Sequence, residues 1–155
     1  MTTGAERRDI RRPAKEARHR AREAALQMLY QWEVGRVSIE EVTSTFWSIG
    51  PVVPESLPGA HRMFAMSLAR GVAATAPAID PVFADATEHW RLERMNILDR
   101  LVLRLAVYEF QHEVETPAKV IINEALELAR TFSTDDAVRF INGVLDTIRR
   151  RFDRQ

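Results

Sequence analysis

The chain contains no cysteine. That absence removes disulfides, thiolate nucleophiles and cysteine-ligated zinc together, and it suits a reducing compartment. Glycine is sparse, six residues in 155, and nowhere gathers into a phosphate-cradling loop. No GxSxG elbow, DxDxDG calcium loop or HExxH helix occurs either. The four histidines, His19, His61, His89 and His112, are scattered, so neither a metal site nor a cofactor is expected. No apolar run approaches the roughly 18 to 20 residues that cross a bilayer, and the N-terminus lacks the apolar stretch of a secretory signal. The expectation is a cytoplasmic protein that is not an enzyme.

Net charge is missing too, since 22 basic and 22 acidic residues cancel. The cancellation hides an asymmetry. Residues 1–22 hold eight basic groups, Arg7, Arg8, Arg11, Arg12, Lys15, Arg18, Arg20 and Arg22, against Glu6, Asp9 and Glu16, a net of +5. The other 14 basic and 19 acidic residues leave the body at −5. Seven of the eight cations are arginine, whose planar guanidinium pairs bidentately with phosphate and stacks on bases. An arginine-rich organellar presequence is the competing reading. Three acidic residues, little serine and an unbroken passage into helical periodicity speak against it.

The length fits one domain with a sizeable core. We divide the chain into a flexible arginine-rich arm, 1–14, and a single helical domain, 15–155. Pro13 suits the first turn of a helix running to about Val34, with Ala21, Ala25, Met28, Leu29 and Trp32 as its buried stripe and Lys15, Arg18 and Arg22 sharing one face. Gly35 closes it. Ser38 and Glu41 read as a capping box for a helix over 39–49, three prolines mark a loop over 50–59, and a helix over 60–75 follows through Phe64, Leu68 and Val72. Asp80-Pro81 reads as the cap and first residue of another.

From Asn96 to His112 apolar residues cover most of the helix circumference, leaving a polar strip of Arg100, Arg104 and Gln111 with Asp99 at its edge; this is the central helix. Thr116-Pro117 starts the next, through Phe132, whose Glu124 and Glu127 read as a solvated face. Ser133-Thr134 caps the last. Its core stripe is Ile141, Val144, Leu145, Ile148 and Phe152, while Asp136, Phe140, Gly143 and Thr147 fall on another face. A glycine inside a helix costs about 1 kcal/mol relative to alanine, so its missing side chain should serve something. Either a ligand approaches there while a base stacks on Phe140, or another helix packs closely over Gly143 with Phe140 in a second core. No period-two alternation is present, so the fold class is all-α with about seven helices.

Four runs, 21–32 (AREAALQMLYQW), 99–109 (DRLVLRLAVYE), 122–130 (INEALELAR) and 140–146 (FINGVLD), stand in an order and spacing that resembles the NusB transcription antitermination family. The resemblance covers essentially the whole chain, though 35–91 matches only in pattern. It implies two perpendicular three-helix bundles and a role without catalysis. It further implies binding of boxA-type single-stranded RNA in nascent ribosomal transcripts together with the ribosomal protein NusE, in support of RNA polymerase. RNA contacts are implied at Arg7, Arg8, Arg11, Arg12, Lys15, Arg18, Arg22, Tyr30 and Phe140, and partner contacts at Asp99 and Asp136. The family commonly has serine where this chain has Ala137, and some members form homodimers that hide the RNA site. The alternative is a free-standing ribosomal-RNA-binding domain related to the N-terminus of rRNA methyltransferases. A helix-turn-helix regulator would place its cations on a recognition helix, not on an arm.

Overall fold

A computed structural model describes residues 4–49, 57–87 and 95–152, with the backbone alone over 4–14. Six helices follow in order: α1 Gly4–Gly35, α2 Ile39–Ile49, α3 Gly59–Ala86, α4 Ile97–His112, α5 Ala118–Phe132 and α6 Asp135–Arg151. No strand occurs among the described residues. Helices α1, α2 and α3 touch one another, as do α4, α5 and α6, and the two sets join through α3 and α1 on α4 and through α3 on α6. One continuous apolar core runs through both sets.

Small residues bring α1 close to its neighbours. Ala17, Ala21, Ala24 and Ala25 are buried with Met28 and Leu29, and an alanine face lets another helix approach without displacing bulky side chains. Trp32, expected in the same stripe, lies at the core's margin, half-buried. The helix starts at Gly4 and passes through Pro13, so the backbone is helical over most of the segment read as a flexible arm. A proline there forfeits a single backbone bond, and the arginines around it are good helix formers. At the other end Gly35 keeps a negative φ, and the left-handed residue is Arg36, φ 53°.

Helix α2 has the expected bounds, and Ser38 Oγ accepts from the Glu41 amide at 3.2 Å. Asp80-Pro81 is no helix start: α3 continues through Pro77 and Pro81 to Ala86, which leaves six helices among the described residues where about seven were expected. The prolines stand four residues apart, so the acceptor that Pro81 forgoes is the Pro77 carbonyl. Ile79 and Phe83, both fully buried on this stretch, contribute about 2 kcal/mol each and offset the lost bonds. Asp80 caps nothing; its carboxylate turns to Arg104 instead.

Helix α4 is central, as its sequence predicts. Asn96 caps it, its side chain accepting from the Leu98 amide at 2.9 Å, and Leu101 to Val107 are all buried. Arg104 lies inside as well, donating from Nε and Nη2 to the two Asp80 oxygens at 2.8 Å each, with Glu33 3.7 Å from its Nη1. Burial opposes its charge, yet Asp80 and Glu33 outweigh that and push its pKa up. Thr134 Oγ1 accepts from the Ala137 amide at 3.1 Å and starts α6, whose Ile141, Val144, Leu145 and Ile148 are buried as expected and whose Phe152 is partly so.

Candidate nucleic-acid interface

The described cations of α1 divide by their position along the helix, the exposed ones preceding the buried one. Lys15, Arg18 and Arg20 are exposed, and none pairs with a described carboxylate. Arg22 is 3 % exposed and directed inward. Its Nε donates to both Glu109 oxygens at 3.1 Å and its Nη2 to Oε1 at 2.8 Å. The expectation that Arg22 meets phosphate is therefore corrected: it shares its helix face with the exposed Lys15 and Arg18 but stands one turn further along α1, where Glu109 of α4 receives it. The side chains of Arg7, Arg8, Arg11 and Arg12 lie outside the described residues.

Burial raises the Glu109 pKa, the Arg22 guanidinium pulls it back, and Glu113 and Glu124 push it further up. Glu124, read in sequence as part of a solvated face, is also corrected, at 6 % exposure. Its Oε2 lies 2.6 Å from His19 Nδ1 and 3.9 Å from Arg22 Nη1, while His19 Nε2 lies 2.9 Å from Glu23. Helix periodicity does not show this burial, because the covering atoms come from α1, about a hundred residues away in sequence. Glu127 is exposed, as expected, and pairs with Arg130. Between α1 and α5 an open groove of about 860 Å³ presents Lys15, Arg20, Asn123, Glu127 and Arg130. No metal-binding cluster occurs among the described residues.

Tyr30 is 42 % exposed at the edge of a second groove of about 370 Å³, walled by Leu26, Leu98 and Phe132. Gln27 also borders it and has a buried Oε1 without a hydrogen-bond partner. Asp99 follows Leu98 and is half-buried; its Oδ1 accepts from Ser133 Oγ at 2.6 Å, tying the start of α4 to the end of α5. Tyr30 and Asp99 thus belong to neighbouring parts of one surface.

On α6, Asp136 is exposed and Phe140 is half-buried against the core. A Cβ on Gly143 would meet nothing within 4 Å among the described residues, so no described helix packs over it, against that alternative. The face remains open, with Thr147 exposed and its Oγ1 donating to the Gly143 carbonyl at 3.1 Å. Sequence reasoning placed Phe64 in the core stripe of α3 and missed a second aspect: the half-buried ring lies beneath two guanidiniums, Arg18 Cζ 5.3 Å and Arg22 Cζ 5.5 Å from its centroid.

Residues 19–150 match the model of the NusB family. The transcription antitermination protein NusB of Koribacter versatilis (strain Ellin345) is 43 % identical over 136 residues, 88 % of this chain and 90 % of that protein. That of Sorangium cellulosum (strain So ce56) is 43 % identical over 132 residues, 85 % of this chain and 91 % of its own. Among solved structures, T. maritima NusB superposes with a TM-score of 0.77 at 32 % identity, covering 86 % of this chain and 90 % of that one. A structure of antitermination factors NusB and NusE in complex with dsRNA gives 0.77 at 20 % identity over 88 % of this chain and 98 % of that one, a likeness of fold alone.

Proposed function

The chain belongs to the NusB family, and from that membership we propose that it is a transcription antitermination factor that binds boxA-type RNA of nascent rRNA transcripts together with ribosomal protein NusE and supports processive elongation by RNA polymerase. It acts in the cytoplasm as an adaptor, without catalysis. Lys15 and Arg18, with Arg7, Arg8, Arg11 and Arg12, neutralise phosphates; Tyr30 and Phe140 engage bases; Asp99 and Asp136 face the basic ribosomal protein.

One observation carries the RNA reading. Three cations within residues 15–20 of α1 remain exposed and unneutralised by described carboxylates, although acidic residues outnumber basic ones in the rest of the chain. Solvated cations that cancelled internal charge would sit beside carboxylates, as Arg130 sits beside Glu127. The open face around Phe140 and Gly143 supplies what phosphate contacts lack, an aromatic surface on which a single-stranded base can stack. No helix crossing a membrane competes with this reading among the described residues.

The test is a binding titration with a boxA-like RNA and a scrambled control, with and without NusE, at two salt concentrations. Preference for the boxA-like RNA, strengthened by NusE and weakened by salt, is the expected result. Equal affinity for both RNAs in the presence of NusE overturns it.

A further inference from the structure

We propose that Phe64 is a positioning residue of the RNA site: its ring holds the Arg18 guanidinium over α3, so that the arginine meets the RNA already oriented. This rests on the function proposed above and deepens it, since Phe64 is on α3 and the exposed cations Lys15, Arg18 and Arg20 are on α1.

Arg18 and Arg22 stand one turn apart on α1, and both guanidiniums lie over the Phe64 ring, at 5.3 and 5.5 Å. Arg22 is immobilised by its three hydrogen bonds to Glu109, and it bears on Phe64 from within. A chain of fixed groups therefore runs from Glu109 on α4 through Arg22 and Phe64 to Arg18. Arg22 is neutralised by Glu109, so two cations share one ring without facing each other uncompensated. Arg18 has no such partner among the described carboxylates and is exposed.

An unconstrained arginine gives up much rotamer freedom when it grips a ligand, whereas a stacked one has given it up beforehand. Stacking also occupies one face of the guanidinium and leaves its N–H edge for phosphate or a base edge. Lysine at the same place would keep the charge and lose the orientation. The attraction of an exposed cation for a ring corresponds to roughly two- to fivefold in affinity, which bounds the expected effect.

A double-mutant cycle on the full chain, read with a labelled boxA-like RNA at about 50 and 200 mM salt, tests this. Phe64→Leu is expected to weaken binding about two- to fivefold, Phe64→Trp to keep it, and Arg18→Lys to lose about as much as Phe64→Leu. In an Arg18→Ala background Phe64→Leu is expected to change nothing further, because a ring without its cation has nothing to present. An equal loss from Phe64→Leu in both backgrounds makes Phe64 a merely structural or directly stacking residue and overturns the proposal, as does wild-type binding by Phe64→Leu. Thermal melts accompany each variant. If Phe64→Leu does not fold, Arg18→Lys decides alone, and wild-type binding by that variant overturns the proposal. An unsubstituted protein that shows no preference for boxA-like over scrambled RNA overturns the proposed function itself, and this inference falls with it.

Discussion

Arg22 shows how far a single residue's role departs from its type. Seven positions after Lys15 on the same helix face, it reads as one more phosphate contact, yet it is buried and holds Glu109 with three hydrogen bonds. Removing one partner of such a pair leaves the other charge stranded in the core, at a cost of about 3 to 5 kcal/mol. Arg22→Ala should therefore lower stability by that amount in urea unfolding; a wild-type midpoint would show that the pair contributes nothing. Gly143 is the opposite case. Its position is helical, without positive φ, and open to solvent, so Gly143→Ala should raise stability by about 0.5 to 1 kcal/mol while weakening RNA binding. Unchanged RNA affinity would show that the glycine serves no ligand approach.

The helices are held in place by a few contacts too specific to follow from amphipathicity. A Cβ on Gly71 of α3 would fall 2.1 Å from the Tyr108 ring of α4, so the missing side chain is the seat of that ring. Gly71→Ala should cost about 1 to 3 kcal/mol, and much less in a Tyr108→Ala background, as thermal melts of the four proteins would show. Glu109 joins α4 to α1 in another way. With its folded pKa raised above the unfolded one, it binds its proton more tightly in the folded chain. Its contribution to stability is therefore fully present below the unfolded pKa and is lost as pH rises through the interval up to the folded pKa. Glu109→Gln should remove that decline from a pH series of melts; an unaltered slope would mean that another group titrates there.

Across the whole molecule the basic end and the acidic body are separate parts of one design, +5 over residues 1–22 against −5 over the rest. The described core begins at Ala17, so deleting residues 1–14 should leave cooperative melting intact. It removes four arginines, and the slope of log affinity against log salt for single-stranded RNA should fall by up to about 3. An unchanged slope would remove Arg7, Arg8, Arg11 and Arg12 from the interface.

The all-α class, the α2 bounds, the caps at Ser38 and Thr134 and the α6 core stripe were legible in the sequence, because caps and 3.6-residue periodicity are local and each residue carries its own signal. The surplus of cation at one end was equally plain, being a matter of composition. Asp80-Pro81 misled because a local cap signal and a pairing with Arg104 compete for one carboxylate, and nothing nearby in the chain records the outcome. Arg22, Glu124 and Phe64 belong to the same class. Whether a charged or aromatic residue at the margin of a helix face meets solvent or another helix depends on which distant helix packs there. That choice is made by the summed burial of the whole core, so only the tertiary structure decides which arginines remain outside for RNA.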